Sequence, residues 1–210
     1  MTYIKEACVE TLEQAVIAER KGADRVELCA NLELDGLTPS EELIREAKTA
    51  LTVPIRAMIR PRGGDFFYSE KEITDMKASI DLCREIGIEG VVFGMTDNTY
   101  IQLDTKLISE LADHARPLKV TIHKAIDVCR DPLAELGKLL DLGTIDAVLT
   151  SGKAATAQEG TALLKMMIQL ATDQLEVIAC GKVTLQNLPR LHLEIASGAY
   201  HGKKIVGSLS

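Results

Sequence analysis

Eight short apolar or β-branched runs recur near residues 3–8, 24–29, 54–60, 89–94, 117–123, 145–149, 175–180 and 197–201, and segments of helical period separate most of them. Such a repeat, strand then helix over about 20 to 35 residues, restricts the topology, because consecutive parallel strands need a crossover and a helix is the usual one. Eight strands of this kind favour an α/β fold closed as a TIM-type (β/α)8 barrel over an open doubly wound sheet. Helix-boundary residues agree. Leu12, Ala15, Val16 and Ala18 recur at helical spacing between an N-cap candidate, Thr11, and Gly22. Thr38-Pro39-Ser40-Glu41-Glu42 predicts a helix start with Thr38 as N-cap and Pro39 at the first helical position. Further helices are expected over Ser69–Ile86, Asp104–Ala115, from Asp131-Pro132 to a stop at Gly143, over Thr156–Ala171, and over Thr184–Ile195 in spite of Pro189.

At 210 residues the chain suits a single domain over 1–210, whereas barrels of this class typically take about 250 residues. The stretch 202–210 is too short for an eighth helix. The expectation is therefore a compact barrel whose last β/α unit is incomplete, a gap that a second copy in a homo-oligomer would cover.

Composition serves mainly to exclude. The formal net charge is −7, and Lys and Arg are spread without aromatic interleaving, which argues against a nucleic-acid surface. No apolar run reaches the length of a membrane helix, and the first residues lack the basic and apolar regions of a signal peptide, so a cytoplasmic, membrane-free protein is expected. The five cysteines, Cys8, Cys29, Cys83, Cys129 and Cys180, are odd in number and contain no CxxC pair. Reduced thiols are expected, not a disulfide framework or a zinc knuckle.

In a barrel of this class the reactive side chains gather at the C-terminal ends of the strands, and alternate residues point inward. Parity then groups Glu6 with Cys8, Glu27 with Cys29, Arg56 with Met58 and Arg60, and Thr121 with His123. Glu6 and Glu27 are expected to face Arg56 and Arg60. The same charges serve equally well as internal salt bridges, since buried charge requires pairing. The densest chemistry is Arg60-Pro61-Arg62-Gly63-Gly64-Asp65, where an apolar strand stops at a proline and two glycines. Arg60, Arg62 and the amides of Gly63 and Gly64 form a candidate grip for a carboxylate or phosphate. Thr150-Ser151-Gly152-Lys153 after the sixth strand and Cys180-Gly181-Lys182 after the seventh are short turns with exposed amides, and later loops of such barrels often bind phosphate, so Ser151 and Gly152 are a second anion-binding candidate; each turn serves equally as an ordinary tight turn. His123 is the natural acid or base, with Glu27 as its carboxylate counterpart. These residues suit an enzyme acting on an anionic small molecule by acid-base chemistry. Cys8 and Cys29 end adjacent strands, and soft thiolates favour Cu(I), with Met58 as a further sulfur donor; both residue types are also common core filling. No organic cofactor is indicated.

Five segments, Gly22–Cys29 with Thr38-Pro39-Ser40 following, Ile59–Ser69, Gly90–Gly94, His123–Asp127 and Leu149–Gly152, resemble the CutC family, named for copper homeostasis. The resemblance implies a TIM-type barrel, a cytoplasmic location, and a part in copper handling, with Cys8 and Cys29 at positions where the family commonly has cysteine. Three positions depart from the family pattern. Lys124 stands where the family has arginine, Lys153 replaces a glycine, and Ala179-Cys180-Gly181-Lys182 replaces a glycine-rich turn, putting side chains where bare backbone would cradle a phosphate.

Overall fold

The computed structural model describes residues 3–210. Its strands are β1 (Ile4–Val9), β2 (Arg25–Leu28), β3 (Ile55–Met58), β4 (Gly90–Phe93), β5 (Lys119–Ile122), β6 (Ala147–Thr150), β7 (Glu176–Ala179) and β8 (Ala199–Gly202). They follow one another in chain order round a closed barrel, β8 returning to pair with β1, and all pairings are parallel. Outside lie α1 (Leu12–Arg20), α2 (Glu41–Ala50), α3 (Glu70–Ile86), α4 (Thr105–Ala115), α5 (Ala125–Val128), α6 (Pro132–Leu142), α7 (Thr161–Ala171) and α8 (Leu188–Ile195). No helix follows β8 among the described residues, so the last β/α unit is a strand alone. None of the described helices is long and apolar enough to cross a membrane.

Strand alternation divides the core in two. Outward-facing Val26, Leu28, Val91, Phe93, Val120 and Ile122 pack against Ile44, Met76, Ile80, Ile108 and Leu111 from the helices. Each such large side chain, once buried, contributes about 1.5–3 kcal/mol of transfer free energy. Inside the barrel the apolar filling is thinner, with Ala147, Leu149, Ile178, Cys180 and Ala199 on one side and Cys8, Cys29, Met58 and Val92 on the other. Charged residues occupy the remaining interior.

Most helix boundaries follow their capping chemistry. Ser69 forms a full capping box: its hydroxyl accepts from the Glu72 amide, and the Glu72 carboxylate accepts from the Ser69 amide at 2.7 Å. At α2 the structure corrects the expectation, because Ser40 is the N-cap, accepting from the Leu43 amide at 3.2 Å. Thr38 is unavailable, since its hydroxyl accepts from the Arg60 amide at 2.9 Å and donates to the Arg60 carbonyl at 3.1 Å. That exchange ties the loop after β2 to the end of β3. α7 and α8 begin later than periodicity suggests. Residues 157–160 form a turn, and Pro189 falls within the first turn of α8, where its missing N–H costs nothing.

Candidate functional site

The floor of the barrel is a network of opposite charges. Arg25 Nε donates to Glu6 Oε2, and its Nη2 donates to Glu176 Oε2 at 2.9 Å. Arg56 Nη1 donates to Thr121 Oγ1 at 2.8 Å and lies 3.7 Å from Glu176, while Nη2 reaches Glu89 at 3.4 Å. Desolvation opposes the charge on Arg25, yet Glu6 and Glu176 outweigh it and hold its pKa above the ordinary value. Glu6 therefore faces Arg25 instead of Arg56 or Arg60, because β1 and β2 are in register with Glu6 beside Arg25.

Above this floor the first two strands and the last bring four reactive side chains together. Cys8 and Cys29 have their sulfur atoms 4.0 Å apart. Donor atoms of Cys8, Glu27 and His201 all lie within 4.8 Å of one another. His201 Nδ1 is 2.8 Å from Glu6 Oε1 and Nε2 is 3.7 Å from Glu27 Oε2; Cys29 Sγ donates to Glu27 Oε2 at 3.5 Å. Burial alone disfavours charge on His201, but Glu27, Cys8 and Glu6 outweigh it and raise its pKa well above the usual histidine range. The hydrogen bond from Cys29, reinforced by His201 against the effect of burial, holds Cys8 well below a normal thiol. Cys29 moves up through its bond to Cys8, burial and the nearby Glu27 carboxyl. Of the two thiols, Cys8 is therefore the one that ionises more readily, beside a histidine whose protonated form the surrounding acidic groups favour. Burial pushes Glu27 up to about 8, against the pull of His201, whereas Glu6, desolvated but bonded to His201 and Arg25, is brought down to about 2.

Cys8, Cys29, Glu27 and His201 line a cavity of about 860 Å³ at the C-terminal ends of the strands, and Arg60 and His123 line it too. Arg60 is spent on backbone: Nη1 donates to the carbonyls of Leu34 and Gly36 at 2.9 and 3.4 Å, and Nη2 to that of Gly64 at 3.0 Å. Its guanidinium lies 5.0 Å from the centre of the Phe66 ring. Arg62 turns away into Glu72 and Asp65, at 2.7 and 2.9 Å, and neither it nor Gly63 lines the cavity; Gly64 does. His123 is held from two sides. Its ring lies 4.8 Å from that of Phe66, and a Cβ at Gly94 would come within 2.7 Å of Nδ1. Nδ1 accepts from the Ala125 amide at 3.2 Å, so the proton resides on Nε2, which is buried without a partner. Desolvation, with Arg60 adding repulsion, lowers its pKa to about 3. His123 is a neutral hydrogen-bond donor.

Ser151 and Gly152 sit beneath a different residue. Asp127 Oδ1 accepts from Thr150 Oγ1 and the Lys153 amide at 2.5 and 3.0 Å, and Oδ2 accepts from the Ser151 amide and hydroxyl at 2.9 and 3.0 Å. The turn after β6 is thereby filled by a carboxylate of the chain itself. His201, Arg25, Glu176 and Asp127 do not stand out as site residues in the sequence. Arg25 shares the parity of Glu27, a readable signal, but His201 becomes significant only when β8 closes against β1.

The CutC family model matches residues 3–206. A human relative called copper homeostasis protein cutC homolog is 45% identical over 190 residues, covering 90% of this chain and 68% of its own length. A family protein CutC from Mesorhizobium japonicum is 41% identical over 196 residues, covering 93% of this chain and 75% of its own length. The crystal structure of a CutC from Streptococcus agalactiae superposes with a TM-score of 0.91 at 29% identity, covering 97% of this chain and all of that one. The chain belongs to the CutC family.

Proposed function

We propose that the protein holds Cu(I) at the inner end of the cavity through the thiolates of Cys8 and Cys29, with His201 as a neighbouring nitrogen donor, and so serves copper homeostasis. The observation that carries this reading is the 4.0 Å approach of two buried sulfur atoms beside His201 and Glu27. The donor set fits a soft cation, because thiolate and imidazole select copper(I) over hard ions that prefer oxygen. Met58, packed in the same cluster, is a further sulfur within the same apolar wall. Cys8 is already disposed to be a thiolate, and the proton on Cys29 would leave on binding, as it does wherever a thiol becomes a ligand. His201, an imidazolium in the free protein, must give up its proton to become a ligand, as Cys29 must; until then Glu6, 2.8 Å from its Nδ1, offsets its charge.

Relatives bearing the copper homeostasis name support the reading. The five cysteines are free and buried, the state a reducing cytoplasm maintains, and we place the protein there. The test is a titration of the reduced protein with Cu(I) against a competing chelator. Binding should be lost in Cys8→Ser/Cys29→Ser and weakened by about tenfold or more in each single variant. Equal affinity of the double variant and the unaltered protein would overturn it.

A further inference from the structure

Two turns on this barrel share a construction and differ in what fills them. After β6, Gly152 and Lys153 have φ of 67° and 56°; after β7, Gly181 and Lys182 have φ of 102° and 55°. The first turn closes round the Asp127 carboxylate, which takes the amides of Ser151 and Lys153. In the second, the amides of Gly181, Lys182 and Val183 donate to no acceptor among the described residues, and all three residues line the cavity. Lys182 and Lys204 stand at the same rim without an acidic partner within salt-bridge distance among the described residues. Consecutive free amides with adjacent ammonium groups form an anion-binding concavity, and the neighbouring turn shows an anion in that role. His123, 4% exposed, lines the same cavity, and its buried Nε2–H has no acceptor among the described residues.

We infer that the cavity takes a phosphorylated small molecule bearing a carbonyl, its phosphate held by the Gly181–Val183 amides with Lys182 and Lys204, and its carbonyl oxygen accepting from His123 Nε2. A neutral imidazole N–H suits a carbonyl oxygen, because it polarises the C=O without transferring its proton outright. Phe66 and Gly94 fix the ring, so the donor is oriented before the ligand arrives. This site shares no residue with the proposed copper ligands.

The test uses the full chain, metal-free and reduced, with inorganic phosphate and then dihydroxyacetone phosphate followed by amide NMR and calorimetry. Phosphate should shift the Gly181, Lys182 and Val183 amides, and Lys182→Ala/Lys204→Ala should weaken it by about tenfold or more. Dihydroxyacetone phosphate should bind more tightly than phosphate, and His123→Gln should remove that advantage while leaving phosphate binding in place. The amide shifts need no variant, so their absence at tens of millimolar phosphate overturns the proposal even where a variant fails to fold. So does an undiminished preference for dihydroxyacetone phosphate in a folded His123→Gln protein. Neither outcome bears on the copper titration, which addresses other side chains.

Discussion

Lowering the pH should expose how firmly the fold keeps His123 neutral. An ordinary histidine gains its proton near 6.5, whereas in the folded chain His123 does so near 3, because burial and the charge of Arg60 oppose it. Between those values the unfolded chain binds one more proton than the folded one, so stability falls with pH by about 1.4 kcal/mol per unit. The contribution is complete above 6.5, and about 2–3 kcal/mol of it should be gone at pH 4.5. Glu27 works in the opposite direction. Its folded pKa of about 8 lies above the ordinary 4.5, so its contribution is complete below 4.5 and is lost as pH rises toward 8. Glu6, lowered to about 2, loses its contribution mainly below 4.5. The unaltered protein alone would therefore show a flattened profile, and the informative quantity is the difference between it and His123→Gln. Urea unfolding at several pH values from 7 to 4.5 should show the variant gaining about 2–3 kcal/mol relative to the unaltered protein as the pH falls. A constant difference across that interval, or a His123 ring resonance titrating near 6.5, would refute the reasoning.

Arg25→Met should destabilise the fold by about 3–5 kcal/mol in urea unfolding, because it leaves Glu6 and Glu176 without their shared buried cation; adding Glu6→Gln should recover part of the loss. Asp127→Asn keeps the shape of the side chain but presents an N–H to donors of the β6 turn. It should cost about 2–3 kcal/mol and speed amide exchange at Ser151 and Lys153.

The barrel was legible because its signal is repeated. Eight apolar runs with intervening helical periods leave few topologies, and parity alone placed Cys8 with Glu6 and Cys29 with Glu27 on inward-facing registers. The site was less legible because its assignments depend on what a side chain meets, not on which way it points. The run Arg60-Pro61-Arg62 reads as two free guanidiniums, yet Arg60 is bound by the carbonyls of Leu34, Gly36 and Gly64, and Arg62 by Asp65 and Glu72. An arginine beside loops that need donors is drawn to their carbonyls, and nothing in linear order says which loops will fold over it.

The same logic explains the two Gly-Lys turns. By sequence, Ser151-Gly152-Lys153 and Cys180-Gly181-Lys182 are both short Gly-Lys turns, and the departure from a glycine-rich pattern argues against a phosphate cradle in the second, yet it is the second whose amides remain without acceptors among the described residues. What separates them is Asp127, more than 20 residues before the first turn, which the one-turn helix α5 carries beneath β6. No comparable carboxylate reaches the amides of the second turn among the described residues. A polar concavity lined by free amides and lysines stays solvated until an anion enters, and that exchange favours a ligand whose charge the protein does not itself supply. The lysines of the two turns thus have different uses: Lys153 closes its turn on Cys129 and Arg130 carbonyls at 2.7 and 2.9 Å, while Lys182 remains at the open rim.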